Sequence, residues 1–332
     1  MRRNELIFKL VVALITIVVV GSLILYRNYT EEIDLGDKTV TIIIQPGDAL
    51  NKVVGELLEQ KVVYSKLMLK YPARLRGIDK KLIPGRYDFT GNNSCRSVLD
   101  RLETGDFLRL KLTIPEGSTI WETSALIAGK LELDSATVHN LENDTAFLQE
   151  LDVPGLEGFL FPETYFIPWG TTEKEVVRRL VEMYQTQTDL VWANYNEERL
   201  SRYQIVILAS IIEAETGVGE ERRLVSSVYN NRLKSNMKLD ADPTVIYGLG
   251  GLDRPLWRKD LRKDTPYNTY IHKGLPPTPI NSPGLASIQA AINPETSDYL
   301  YFVAGNDGRH IFSRTITEHN RAIQKIKAER PN

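Results

Sequence analysis

The sequence predicts an α+β protein with an N-terminal transmembrane helix, a small α/β subdomain and a mainly helical C-terminal domain. Three observations predict it. An uncharged apolar run lies near the N-terminus, short β-branched segments alternate with amphipathic ones as far as about residue 115, and helical periodicity broken by prolyl loops dominates after residue 171.

The apolar run, Leu10 to Tyr26 (LVVALITIVVVGSLILY), has only Thr16, Gly21 and Ser22 as weakly polar interruptions. A bilayer core takes about 20 such residues as helix, with about 17 as the lower limit. Lys9 and Arg27 can extend their charges to the two interfaces, so residues 10–27 are predicted to span. A core helix of a soluble domain is rarely apolar on every side. Arg2, Arg3 and Lys9 precede the run, while Glu31, Glu32 and Asp34 follow it. The positive-inside bias therefore places residues 1–9 in the cytoplasm and the rest on the periplasmic, extracytoplasmic side of an inner membrane. No small-residue cleavage pattern follows the run, and it is long for a signal peptide.

The chain of 332 residues has 41 basic and 43 acidic side chains, so a nucleic-acid partner finds no electrostatic footprint. Cys95 stands alone, which excludes an intrachain disulfide and a cysteine metal site. His139, His272, His310 and His319 are dispersed and form no HExxH pattern. The expectation is a protein without metal or cofactor.

Residues 28–38 are polar and read as a linker. In the subdomain over 39–105, Thr39 to Gln45 reads as a strand, and Pro46-Gly47-Asp48 as a turn with Asp48 capping a helix from Ala49 to about Gln60. A helix from Ser65 to about Arg76, a strand from Arg86 to Thr90 and a helix from Ser94 to Glu103 follow, closed by Gly105. Residues 106–170 repeat the strand, Pro-Gly turn and helix: Leu108 to Ile114, Pro115-Glu116-Gly117-Ser118, then Thr119 to about Leu131. Asn140 to Leu151 reads as one helix, and Leu156 to Pro168, aromatic and twice broken by proline, as irregular packing. From 171 to 332 the pattern is mostly helical, beginning with an amphipathic helix from Thr172 to about Asn194.

Leu200 to Thr216 has the periodicity of a core helix and carries two carboxylates, Glu213 and Glu215. Two residues apart, they point in nearly opposite directions and cannot flank one substrate. Glu215 falls on the face of Leu208, Ile211 and Ile212, whereas Glu213 aligns with Val206, Ala209 and Ser210. A glutamate on a core face has its charged form desolvated, which raises its pKa and suits it to general acid catalysis. An ion pair with Arg222 or Arg232 is the competing explanation.

SIIEAET (210–216), VYNNRL (228–233), LDADPTVIYGLG (239–250), PYNTYIHKGLPPTPINSPG (266–284), AINP (291–294) and YLYFVAGNDGRHIFSRTITEHN (299–320) follow in that order. Together with the anchor and LEGFLFPETY, they make the chain resemble the endolytic murein transglycosylases, membrane-anchored proteins also described as aminodeoxychorismate lyase-like. The resemblance covers nearly the whole chain. It implies a LysM-like subdomain over 39–105, a lysozyme-like catalytic domain over 171–332, and peptidoglycan glycan strands as substrate, with penicillin-binding protein synthases as candidate partners. It also implies that a glutamate of the E-x-E-T segment is the catalytic acid. Glu215-Thr216 matches the Glu-Thr pair, while Glu213 is followed by Ala214.

Around Glu215, the residues expected to bind substrate are Thr216, Asn231, Tyr247, Asn268 and Tyr270. Asn231 is polar on an otherwise apolar helix face, Asp242 reads as the cap of a short helix bearing Tyr247, and Asn268 and Tyr270 sit in a loop before a proline-stiffened segment. Two rival functions remain at this point. One is a lysozyme-type hydrolase using Asp240 or Asp242 as second carboxylate, and the other a non-catalytic glycan-binding scaffold for synthases. A pyridoxal phosphate enzyme is disfavoured, because no lysine stands in a recognisable cofactor context.

Overall fold

The computed structural model describes residues 2–45, 47–197 and 199–329, with side chains from residue 5 onward. Pro46, expected in the first turn, lies outside the described residues. The chain divides into two compact units, Met1–Leu110 with Phe166–Thr171, and Lys111–Tyr165 with Thr172–Asn332. Helix and sheet are mixed, and one apolar helix near the N-terminus, Glu5–Thr30, is long enough to cross a membrane.

The first unit begins with α1 (Arg2–Thr30), β1 (Ile33–Asp34), β2 (Val40–Ile44), α2 (Leu50–Glu59) and α3 (Lys66–Leu75). It continues with β3 (Gly85–Phe89), β4 (Asn92–Asn93) and α4 (Cys95–Thr104). β2 and β3 pair antiparallel from Val40–Phe89 to Ile44–Gly85, and β1 pairs with β4. Alternation on β2 turns Val40, Ile42 and Ile44 inward, where they meet Tyr87 and Phe89, Val53, Val54 and Leu57 of α2, and Val98, Leu99 and Leu102 of α4. Ser94 and Ser97 form a capping box on α4, and Gly105 ends it in the left-handed conformation at φ 69°.

Two expectations change in this unit. Asp48 does not cap α2; its carboxylate accepts from Gln45 N–H at 2.9 Å and pairs with Lys52 at 2.8 Å, and Ala49 takes the cap position. The stretch read as a polar linker is built into the fold. α1 runs to Thr30, Ile33 is buried, and Tyr29 and Leu35 pack against the core.

β5 (Arg109–Thr113) and β6 (Thr164–Pro168) pair with each other, and the division between the units crosses both strands. Segment 106–170 is thus shared between the units. β6 itself lies in a stretch expected to be irregular; Tyr165 and Ile167 alternate inward, and Pro168 is tolerated because it ends the strand.

The second unit contains α5 (Ile120–Leu131), α6 (Ser135–Asn140), α7 (Thr145–Glu150), α8 (Glu173–Ala193) and α9 (Arg202–Glu215). After them come α10 (Arg222–Lys234), α11 (Asp242–Gly248), α12 (Leu285–Ile292), β7 (Tyr301–Ala304), β8 (His310–Ser313) and α13 (Ile316–Ala328). α9 is its axis. Ile205 to Ile212 are all buried, and α10, α11 and α12 pack around them. The single helix expected over 140–151 is broken, since a 3-10 turn at Leu141–Asn143 intervenes and Asp144 caps α7 by accepting from Phe147 N–H. The C-terminal stretch is less helical than expected: β7 and β8 form an antiparallel hairpin across Asn306-Asp307-Gly308, where Gly308 takes φ 81°.

Candidate active site

α9 opens with a capping box between Ser201 and Gln204 and ends at Glu215. Thr216 leaves the helix in an extended conformation, and its buried hydroxyl accepts from Val218 N–H at 3.0 Å. Glu215 is therefore the last helical residue, with its following turn fixed by the threonine.

The two carboxylates of α9 have different partners. The Glu213 side chain is 6% exposed and is held on both oxygens, by Arg222 Nη2 at 3.2 Å and by Gly284 N–H at 2.9 Å. Glu215 accepts on Oε1 from the Tyr229 hydroxyl at 2.8 Å. Burial pushes its carboxyl up to about 7; the Tyr229 hydrogen bond and the Arg232 charge pull it down, and the Asp242 charge pushes it further up. The arginines considered as partners of Glu215 are directed elsewhere. Arg222 serves Glu213, and Arg232 donates to Asp240 at 3.0 Å and to the carbonyls of Leu239 and Leu300 at 2.9 and 2.6 Å.

α10 supplies Tyr229, fully buried and edge-on to Phe302. Asp242 was expected to cap α11, but Ala241 occupies that position and Asp242 is the first helical residue. Its Oδ1 accepts from the Tyr270 hydroxyl at 2.6 Å. Burial, with Asp242, Asp240 and Glu215 around it, keeps the Tyr270 phenol protonated. Tyr270, Asp242, Tyr229 and Glu215 thus form one electrostatically coupled neighbourhood.

Asn268 and Asn231 are engaged by backbone. Asn268 Nδ2 donates to the carbonyls of Lys263 and Leu261 at 2.7 and 3.1 Å, and its Oδ1 accepts from Tyr270 N–H. Asn231 Nδ2 donates to the carbonyls of Ser297 and Tyr299 at 2.8 and 3.0 Å. These amides hold the loops around the site.

Tyr247 leads to a residue that sequence reasoning missed. Its hydroxyl donates to Glu157 Oε2 at 2.9 Å, and the same oxygen accepts from Ile120 N–H at 3.1 Å. Glu157 is 3% exposed, and burial pushes its carboxyl up to about 7. The Tyr247 ring lies 5.0 Å from Trp121 and 4.8 Å from Tyr267. Trp121 and Tyr247 wall a groove of about 470 Å³, which Ile246, Leu252, Asn281 and Ala214 also line. Ala214 stands between the two glutamates, so the groove runs along the end of α9. A glutamate inside the apolar run LEGFLF was the available signal for Glu157, and the tyrosine of VYNNRL the signal for Tyr229. Among the described residues, no group of three or more His, Cys, Asp or Glu side chains is arranged to hold a metal ion.

The model of the YceG-like family matches residues 42–325. A Bacillus subtilis (strain 168) protein named endolytic murein transglycosylase is 30% identical over 328 residues, covering 92% of this chain and 91% of its own. A Streptococcus pneumoniae (strain R6) protein of the same name is 27% identical over 86% of this chain, which spans 58% of that relative's length. Among solved structures, a YceG-like protein from Listeria monocytogenes superposes with a TM-score of 0.61 at 29% identity, over 85% of this chain and 98% of that one.

Proposed function

The chain belongs to the YceG-like family, and on that premise we propose that it is an endolytic lytic transglycosylase of peptidoglycan, a carbon–oxygen lyase acting on polysaccharide. Its substrate is the β-1,4 bond between N-acetylmuramic acid and N-acetylglucosamine within nascent strands, and cutting there terminates their elongation. The observation that carries this reading is the contrast on α9. Glu213 is held on both oxygens by Arg222 and Gly284, whereas Glu215 keeps a carboxyl raised to about 7 with one tyrosine on it. A neutral carboxyl on the residue next to Ala214, which lines the groove walled by Trp121 and Tyr247, suits protonation of a glycosidic oxygen.

In the proposed reaction, Glu215 gives its proton to the leaving O4 as the C1–O4 bond breaks. The substrate's N-acetyl carbonyl stabilises the cation at C1, so no second carboxylate is needed. The Glu215 carboxylate then takes the proton of the C6 hydroxyl as that oxygen closes on C1. The product ends in 1,6-anhydro-N-acetylmuramic acid, no water is consumed, and Glu215 is again protonated. Tyr247, with Trp121, and Tyr270 line the sugar path; Thr216, Asn231 and Asn268 position the acid and its loops. The partners of Asp240 and Asp242, an arginine and a tyrosine, speak against either as a hydrolase's second carboxylate.

In the same reading the helical second unit is lysozyme-like, and the 39–105 subdomain is LysM-like and binds glycan. α1 holds the protein in the inner membrane with both units outside, where penicillin-binding protein synthases are the fitting partners. The test is product analysis on purified glycan strands. Glu215→Gln should lose at least about 100-fold in rate, Glu213→Gln should cost much less, and wild-type products should be one water lighter than hydrolytic ones. A dead Glu213→Gln beside an active Glu215→Gln would overturn the residue assignment, and reducing ends as the main product would overturn the chemistry.

A further inference from the structure

The end of α1 is fastened to the first unit beside α3. Arg76, which closes α3, donates from Nη2 to the Tyr29 hydroxyl at 2.7 Å, while its Nη1 pairs with Asp100 at 2.5 Å and Glu103 at 3.1 Å on α4. Tyr29 is two residues beyond the predicted span, about 3 Å along a helix axis. The C-terminal end of α3 is therefore held at the level where α1 leaves the bilayer.

α3 buries Leu69 and Ala73 in the core and turns a different face outward. On that face Leu67, Tyr71 and Leu75 recur every four residues and are 57%, 60% and 89% exposed, and Tyr64, just before the helix, is 70% exposed. Lys66, Lys70 and Arg74 form a parallel row beside them. A helix on the surface of a soluble domain places polar side chains where this apolar row stands. Scattered exposed leucines carry no meaning, but a contiguous apolar row rimmed by polar residues marks a contact surface, and here Lys66, Lys70 and Arg74 flank it on one side. Leucine and tyrosine on one strip with lysine and arginine alongside is the pattern of a helix lying in a membrane interface.

We infer that the Leu67–Tyr71–Leu75 face of α3 seats in the headgroup–acyl boundary of the bilayer that holds α1, with Lys66, Lys70 and Arg74 on anionic phospholipid headgroups. The inference rests on α1 spanning the membrane. The choice of lipid over a protein partner comes from continuity with α1 through Arg76 and Tyr29, and from the basic row.

The full chain, with buried Cys95 replaced by alanine, is reconstituted into phosphatidylglycerol-containing vesicles and labelled with an environment-sensitive fluorophore at one introduced cysteine. Leu67→Cys and Leu75→Cys probe the face, Val18→Cys the middle of α1, and Leu190→Cys an exposed site of the second unit. Nitroxide lipids quench at shallow or deep positions. The face labels should be quenched several-fold more by the shallow nitroxide, the Val18 label by the deep one, and the Leu190 label by neither. Face labels that behave like Leu190, or that are shielded from water yet not quenched by lipid, would overturn the inference while leaving the anchor standing. A Val18 label unquenched by either nitroxide would overturn the anchor itself and the inference with it.

Discussion

Glu213 and Glu215 are separated by about 200° of helical rotation, and their surroundings separate them again. Periodicity and the Glu-Thr pair both pointed to Glu215 in the sequence, yet Val206, Ala209 and Ser210 are as buried as Leu208, Ile211 and Ile212, so the two acids differ by their partners and not by a core face. Glu157 could not be found that way: its partners Ile120 and Tyr247 are 37 and 90 residues distant in sequence. Asn231 and Asn268 illustrate a different limit, since an asparagine on an apolar helix face or in a loop reads the same whether its amide faces a ligand or a backbone carbonyl. The charges around Glu215 yield a paired prediction. An acid with a pKa of about 7 makes kcat/KM fall as pH rises past that value. Asp242 holds the pKa up and the Tyr229 hydrogen bond holds it down, so Asp242→Asn should move the alkaline limb to lower pH and Tyr229→Phe to higher pH. Profiles shifted in the same direction would contradict this placement. Stability follows from the same shift. A carboxyl raised from 4.5 to about 7 on folding contributes stability that is fully present below pH 4.5 and is lost as pH rises through 7. The loss is at most about 3 kcal/mol, less for solvent screening at this partly exposed residue. Glu215→Gln, which keeps an acceptor for Tyr229, should therefore melt higher than wild type at pH 8 and nearly with it at pH 4.

At the scale of elements, the starts of α3 and α4 were readable to within a residue because Ser65 and Ser94 stand before amphipathic runs and cap them, whereas α6 was missed and α7 begins at Thr145, five residues after the expected start. Asp48 and Asp242 were misread as caps because nearer donors, Lys52 and the Tyr270 hydroxyl, claim their carboxylates. The β7–β8 hairpin was hidden by neighbouring helical periodicity, although Asn306-Asp307-Gly308 carried the turn signal. One glycine shows how closely α9 is packed. Gly158 has φ 88°, and a Cβ there would meet Pro279 at 2.6 Å and Val206 of α9 at 3.0 Å. Gly170 has φ 81° but nothing within 4 Å. Gly158→Ala should cost well over the ~1 kcal/mol of left-handed strain expected for Gly170→Ala, as a clearly larger fall in Tm. Equal falls would mean that the Gly158 loop yields freely.

Over the whole molecule, the long apolar helix near the N-terminus was the most readable feature, since it is written in seventeen consecutive residues and needs no distant partner. The two-unit division was less so. Segment 106–170 looked self-contained because strand, turn and helix repeat there, yet β5 pairs with β6 from more than fifty residues later and divides the segment. The anchor reading predicts that fractionated cells retain the intact N-terminus in membranes washed free of peripheral protein. A soluble form starting near residue 28 would refute it.

The continuity of α1 with the first unit bears on how that unit samples its surroundings. A random-coil leash over residues 28–38 would let its cargo roam a volume about 18 Å in r.m.s. radius. Here the helix itself enters the fold, through Tyr29, and Ile33 and Leu35 are packed within three turns of chain. With the membrane anchoring proposed for α1, search by such a unit would be planar: it would patrol by lateral diffusion at one altitude, and encounters would scale with the area swept. On that proposal a glycan strand lying above that altitude would be not slow to find but out of range. Lengthening the rod by whole helical turns, about 5.4 Å each, would change which layer is patrolled and leave the patrol speed unchanged.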